Sequence, residues 1–297
     1  MINILKYYKL WFVVSGVILL FGIISLATFG LKLGIDFKGG TMVELQFNDN
    51  YDLGRVREAL DKSEIGNYQL QQANDNTLII KTENLDKEKH DAVLSDIKTQ
   101  AGDFKEIKLD SIGPVIGQEL KKNAVYQLLL VSLGIIIYIA YAFRKVAKPV
   151  TSWRFGWAAV IALLHDLLFM LGVFSLLGHF KGVEIDSMFI TAMLTVLGFS
   201  VHDTIVVFDR IRENLKVYAG ESIEFVVNHS ISQTLVRSLN TSLTVLFVLL
   251  AMLLFGGDTI RWFVFALFIG IIAGTYSSIF IASPVLMLWQ RWKTRTT

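Results

Sequence analysis

Six apolar stretches, each long enough to cross a bilayer as a helix, constrain this chain more than any other feature. They run near Leu10–Phe29, Asn123–Phe143, Phe155–Leu177, Ile185–Phe208, Val236–Phe255 and Ile260–Trp289. A hydrocarbon core about 30 Å thick needs about 20 helical residues, and the longest stretch fits by tilting. Lipid offers no hydrogen bonds to the backbone, so a segment of this length spans as a helix. Only 18% of the 297 residues are charged, against about 25% in soluble domains. The expected fold class is a polytopic α-helical membrane protein.

Lys and Arg placement orients the spans. Lys6 and Lys9 precede the first. Arg144, Lys145, Lys148 and Arg154 lie between the second and third, Arg210, Arg212 and Lys216 follow the fourth, and Arg291, Lys293 and Arg295 follow the sixth. The two short loops on the opposite side carry only Lys181 and Arg261. This asymmetry predicts that both termini are cytoplasmic. The first span has features of a signal peptide, with Lys6 and Lys9 ahead of it and Ser25-Leu26-Ala27 near its end. Its apolar run exceeds the usual h-region of about 7–15 residues, so it reads as an uncleaved anchor.

Between the first two spans sits a different kind of sequence. Residues 31–122 hold 13 basic and 17 acidic residues, whereas the remainder holds 15 basic and 9 acidic. The basic excess is spread over short loops, which argues against nucleic-acid binding. The chain has no cysteine, which excludes disulfides, thiolate zinc sites and cysteine nucleophiles. Thr41–Phe47 reads as a strand, and Leu53–Leu60 has apolar residues at helical spacing. Tyr68–Ala73 and Thr77–Lys81 flank Asn74-Asp75-Asn76 as a hairpin. Asp86 is positioned to cap a helix through Thr99, and Phe104–Leu109 alternates as a last strand. The order β-α-β-β-α-β predicts a small α+β, ferredoxin-like extracytoplasmic domain. Its one histidine, His90, lies among charges, and no carboxylates cluster, so binding or mechanical work is expected there and not catalysis. The organisation expected is a first span through residue 30, an outer domain over 31–122, spans two to six over 123–290, and a cytoplasmic tail over 291–297.

Ionisable groups inside spans cost at least about 2.5–3.5 kcal/mol at the bilayer centre and are functional hypotheses by default. In the fourth span, Thr191, Thr195, Gly198 and His202 share one helical face, with Asp203 beside it. Asp203 stands six residues before Asp209, about 9 Å along a helix. A carboxylate there carries protons or makes a structural interhelical hydrogen bond; the first reading is favoured. In the fifth span Arg237, Asn240, Thr241 and Thr244 form a polar stripe. Arg237 is a candidate counter-ion for Asp203, or it snorkels to the headgroups. The third span carries His165-Asp166, either a proton relay or a satisfied polar pair, on a small-residue face with Ala158 and Ala162. Gly270 and Gly274 in the sixth span signal tight helix packing. Asp209–Asn214 reads as a solvated cytoplasmic loop.

Two longer stretches are distinctive as wholes: Gly34-Ile-Asp36-Phe37-Lys-Gly39-Gly40-Thr41, and Gly198-Phe-Ser-Val-His202-Asp203-Thr-Ile-Val-Val-Phe-Asp209-Arg210-Ile-Arg212-Glu-Asn214. Both resemble signatures of the SecF family, as do Leu164-His165-Asp166, Gln233–Ser238 and Phe255-Gly-Gly257, and the resemblance covers nearly the whole chain. It implies a non-enzymatic subunit of the bacterial inner (plasma) membrane, in the resistance-nodulation-division superfamily and without cofactor or metal. The implied partners are SecD, the SecYEG channel, YajC as a further candidate, the translocating polypeptide and membrane lipid. It further implies that Asp203 is the essential membrane aspartate and Arg237 its partner, within a proton relay that includes His165, Asp166 and His202. Protonation of Asp203 would weaken its attraction to Arg237, let helices shift and move the outer domain. His202 departs from the family pattern, where Asn is expected. A small-molecule exporter of the same superfamily is the alternative; it would use the same carboxylate but needs a larger outer pocket. An intramembrane protease pairing Asp166 with Asp203 fits the local motifs poorly, and a purely structural scaffold would make Asp203 dispensable.

Overall fold

The computed structural model describes residues 4–63, 65–74, 76–144 and 151–296. Lys145, Lys148, the side chains of Lys293 and Arg295, and Asp75 at the hairpin tip lie outside the described residues. The chain forms two units. One comprises residues 1–32, 126–183 and 188–297, the other Leu33–Val125 together with Glu184–Ser187.

The first unit holds the spans, and six helices are long and apolar enough to cross a membrane. A 3-10 turn, Leu5–Tyr7, leads into α1 (Tyr8–Phe29). Its free N–H groups at Ile4 and Leu5 donate to the Asn228 side chain at 3.0 and 3.4 Å. The next spans are α5 (Pro114–Ala142), α6 (Ser152–Lys181), α7 (Ser187–Val217) and α8 (Ile223–Phe255). The sixth consists of α9 (Asp258–Ser277), a π-helical turn (Ser278–Ala282) and α10 (Ser283–Thr296). The third, fourth and sixth spans form the interior, and the others lie at the periphery.

Small residues set the spacing, as lipid supplies no hydrophobic force to draw helices together. Ala158, Ala162 and Asp166 are fully buried along one face of α6. On another face of α6, Gly172 meets Gly22 of α1, and Ser25 Oγ donates to Ser175 Oγ at 2.8 Å. Phe143, Phe155 and Phe208 close one end of this core, the first two rings stacked with centroids 5.0 Å apart.

Helix boundaries differ from the sequence reading at three places, one being the start of α5 at Pro114, ahead of the apolar run from Asn123. The residues Asp209–Asn214 are not a loop but the last turns of α7, where Asp209 pairs with Arg212 at 2.5 Å and Arg210 with Glu213 at 2.6 Å. These i,i+3 pairs support a helix that no longer carries an apolar run. For the same reason α8 begins at Ile223, well before Val236: Ser222 caps it by accepting from the Phe225 N–H at 3.2 Å, and buried Asn228, Ser230 and Thr234 line its early turns.

The second unit is a four-stranded antiparallel sheet with two helices on one face. A single turn, α2 (Ile35–Lys38), precedes β1 (Gly40–Phe47), α3 (Leu53–Lys62), β2 (Tyr68–Asn74), β3 (Thr77–Thr82), α4 (Lys87–Ala101) and β4 (Phe104–Ile112). The spatial order is β2-β3-β1-β4. Strand alternation turns Val43, Leu45, Phe47, Leu78 and Ile80 inward, onto Val56, Ala59 and Leu60 of α3 and Val93 and Ile97 of α4. Asp52 and Asp86 cap α3 and α4, accepting from Gly54 and Lys89 N–H groups at 2.8 Å each. The predicted ferredoxin-like order is therefore observed.

Candidate functional site

The polar residues of the interior spans converge on Asp166. This residue is 1% exposed. One carboxylate oxygen lies 3.0 Å from His165 Nδ1, and the other accepts from Ser200 Oγ of α7 at 2.7 Å and Ser277 Oγ of α9 at 2.8 Å. A buried carboxylate without such donors would cost far more than the lipid-facing residues around it gain. The Gly270 and Gly274 pair makes the meeting possible. A Cβ on Gly274 would lie 2.8 Å from Ser200 Cβ, so only a residue without one lets α7 come close enough. The hydroxyl chain continues: Ser278 Oγ donates to Gly274 O at 2.8 Å, and Thr204 Oγ1 lies 2.7 Å from Ser278 Oγ.

Asp203 sits one turn further along α7 and is 6% exposed. Ser238 of α8, itself 1% exposed, lies beside it. By strict geometry Asp203 Oδ2 has no hydrogen-bond partner among the described residues. A buried carboxyl oxygen in that state is unusual, since most such groups are paired. Asp166 and Asp203 have separate partner sets and do not form an acid dyad.

Arg237 lies on the exposed side of α8, and its guanidinium makes no ion pair with Asp203 among the described residues. Ser238 is turned about 100° from it around the helix and takes the inward position. Asn240, Thr241 and Thr244 are exposed on the same helix, as are Thr191, Thr195, Gly198 and His202 on α7. Both polar faces read from the sequence therefore exist, and both are exposed among the described residues. Arg210 reaches across to α8, where its Nε donates to Gln233 Oε1 at 2.6 Å, and buried Asn214 donates to Ser230 Oγ at 2.8 Å. Gly34, Asp36, Phe37, Gly39 and Gly40 belong to the sheet unit, apart from the acids above.

The family profile for the protein export membrane protein SecD/SecF, C-terminal, matches residues 92–292, and that for the SecD/SecF GG motif matches residues 24–50. The protein translocase subunit SecF of Thermobaculum terrenum is 47% identical, covering 98% of this chain and 94% of that one. The chain belongs to the SecF family of protein translocase subunits. SecF of Anaerolinea thermophila is 40% identical, with 98% of this chain and 94% of that one covered. The crystal structure of SecDF from Thermus thermophilus, a translocon-associated membrane protein, matches with a TM-score of 0.85 and 32% identity over 98% of this chain. A second SecDF structure, in a super-membrane-facing form, matches with a TM-score of 0.73 and 31% identity over 99% of this chain. In each case this SecF-family chain spans 39% of the SecDF chain. It is a multi-pass membrane protein and a translocase subunit.

Sequence reasoning found the two acids and missed the hydroxyls around them: Ser200 and Ser277 on Asp166, and Ser238 beside Asp203. Serine and threonine are common in spans and carry no charge to draw attention. One signal was available. Pro284 cannot donate to the carbonyl four residues back and crowds it, so the helix widens into the π turn just before it. Ser283 Oγ satisfies the Ser278 carbonyl at 3.0 Å, and π turns gather at functional sites.

Proposed function

We propose that this SecF-family chain is the proton-responsive subunit of a heteromeric export assembly of the bacterial inner membrane. In this reading it pairs with SecD, associates with the SecYEG channel and YajC, and spends the proton-motive force on late steps of polypeptide export. Both termini are cytoplasmic and the sheet unit is extracytoplasmic, in keeping with the distribution of Lys and Arg.

The observation that carries the proposal is Asp203, buried in a span beside Ser238 with Oδ2 unpaired among the described residues. A purely structural polar group has its hydrogen bonds made, whereas an acid that gains and loses a proton has to accommodate two bonding patterns. The uncovered polar faces of α7 and α8 support a second membrane subunit. Arg237, His202 and Asn240 facing lipid would be costly, and a partner's helices would both cover them and bring Arg237 into play as counter-ion. The membrane potential supplies about 2.3 kcal/mol per proton per 100 mV, a scale suited to biasing a two-state domain and not to dragging a chain in one stroke.

The test is translocation of a preprotein into inverted vesicles containing SecYEG, SecD and this chain, with and without a proton gradient. Asp203→Asn keeps the shape of the side chain but cannot release a proton. It is expected to abolish the gradient-dependent gain while expression and co-purification with SecD stay near normal. Full retention of the gain would make Asp203 structural and end the proton reading.

A further inference from the structure

The hydroxyl chain and Asp203 leave the GG motif unexplained, although it lies on the sequence as prominently as they do. The structure gives it a concrete set of contacts. The residues Glu184–Ser187, which follow α6 and end on the first residue of α7, belong by their contacts to the sheet unit. Leu33 pairs with Ile185 as a parallel bridge, and the Gly34 N–H donates to Ile185 O at 2.8 Å. Asp36 Oδ2 accepts from the Ser187 N–H at 2.7 Å and from the Ser187 hydroxyl. From β3, Lys81 Nζ reaches Glu184 Oε2 at 2.8 Å, and both side chains are largely covered. Backbone, cap and ion pair thus hold Glu184, Ile185 and Ser187 by three different kinds of bond.

The capping interaction has a physical preference behind it. The first N–H groups of a helix have no partner within the helix, and an anion placed there is favoured by the helix dipole. Asp36 fills that role for α7, the helix on which Asp203 follows 16 residues later, about 24 Å along the axis.

Two glycines hold Asp36 in place. Gly39 has φ +80 and closes α2 by donating to Ile35 O at 2.8 Å. A Cβ there would sit 2.8 Å from Pro114 Cα, and one on Gly40, at φ +144, would sit 2.6 Å from Thr82 O. The motif turn is therefore wedged against the end of β3 and the start of α5, and β1 leaves directly from it. A pull on residues 184–187 is met by the sheet itself and not by a free loop.

We propose that Leu33, Gly34, Asp36 and Lys81 form a permanent clamp on residues 184–187, and that this clamp passes displacement of α7 to the sheet domain. The proposal rests on the export reading above, in which a proton gradient shifts the spans, and assigns Asp36 a positioning role in it; it does not depend on Asp203 being the group that carries the proton. The clamp stays closed throughout the cycle; what moves is the body it joins.

The absence of native cysteine makes a direct test available. Bridge-paired residues are separated by about the 4.8 Å of neighbouring strands, within the Cα range of about 4.4–6.8 Å that a disulfide spans. The measurements are gradient-dependent translocation in the vesicles described above and co-purification with SecD. Asp36→Ala is expected to lose most of the gain without losing SecD, and Asp36→Asn, which retains an acceptor oxygen, is expected to lose less. Combining Asp36→Ala with Leu33→Cys and Ile185→Cys should restore the gain on oxidation and lose it again on reduction. In the otherwise unchanged chain, the same oxidised pair should leave the gain intact. Full activity of Asp36→Ala would overturn the clamp, as would a disulfide that forms and fails to rescue it. A disulfide that blocks the otherwise unchanged chain would show that the clamp has to open, which also refutes the proposal. Asp203→Asn run in parallel separates the two readings: if it keeps the gain while the redox rescue works, the proton reading fails and the clamp stands.

Discussion

Ser200 and Ser277 donate to the same oxygen of Asp166, and this geometry makes a prediction about non-additivity. Removing either hydroxyl alone leaves Oδ2 with one donor, at 2.8 Å in Ser200→Ala and 2.7 Å in Ser277→Ala. The loss is then one interhelical hydrogen bond in a membrane, about 0.6 kcal/mol on average. Two independent losses would sum to about 1.2 kcal/mol. The double variant does something different: it strips both donors from a carboxylate oxygen that is fully buried. A buried polar atom left unsatisfied costs about 1–3 kcal/mol, and more when charged. The expected double-variant cost is therefore about 3 kcal/mol, with a coupling of about 1–2 kcal/mol beyond the sum of the singles. Reversible unfolding in mixed detergent–SDS micelles, followed by circular dichroism, measures all three variants against the parent. Additivity within about 0.5 kcal/mol would refute the shared-acceptor geometry, since it would mean that each hydroxyl serves a separate group.

Two further predictions concern surfaces. Single cysteines replacing Asn76 or Lys181 are expected to react with an impermeant reagent applied outside the cell, and one replacing Lys216 is not; outside labelling at Lys216 would reverse the proposed orientation. Cysteines replacing Thr195 or Asn240, on the uncovered polar faces, are expected to react with a membrane-permeant maleimide in the purified chain and to be protected after assembly with SecD. Equal reactivity in both states would remove the argument that a partner covers these faces.

The fold was legible in the sequence wherever one period dominated. Strand alternation over Thr41–Phe47 and Phe104–Leu109 and the cap at Asp86 describe the sheet unit almost element by element, because a small soluble core tolerates only one inward set of residues. The spans were legible for the same reason, but their ends were not. Hydropathy reports where lipid begins, not where a helix stops, so the polar turns of α7 through Val217 and of α8 from Ile223 were hidden. In the site, charge made Asp166 and Asp203 visible and left their partners invisible. Position around the helix decides the rest: Arg237 and Ser238 are neighbours in sequence, yet only Ser238 is buried beside Asp203.

The π turn shows how a single residue can organise such a site without belonging to it. In a regular helix Ser277 and Ser278 would point about 100° apart, and each needs a separate partner to be buried at no cost. Here Ser277 reaches Asp166 on α6, while Ser278 lies 2.7 Å from Thr204 on α7. Both are fully buried. The widened turn, which begins at Ser278, lies just before Pro284, which has no N–H and crowds the carbonyl of Phe280, and the Ser283 hydroxyl donates to the Ser278 carbonyl within it. The sixth span thus binds two neighbouring helices through consecutive serines, and it does so at the level where α6 and α7 present their acids.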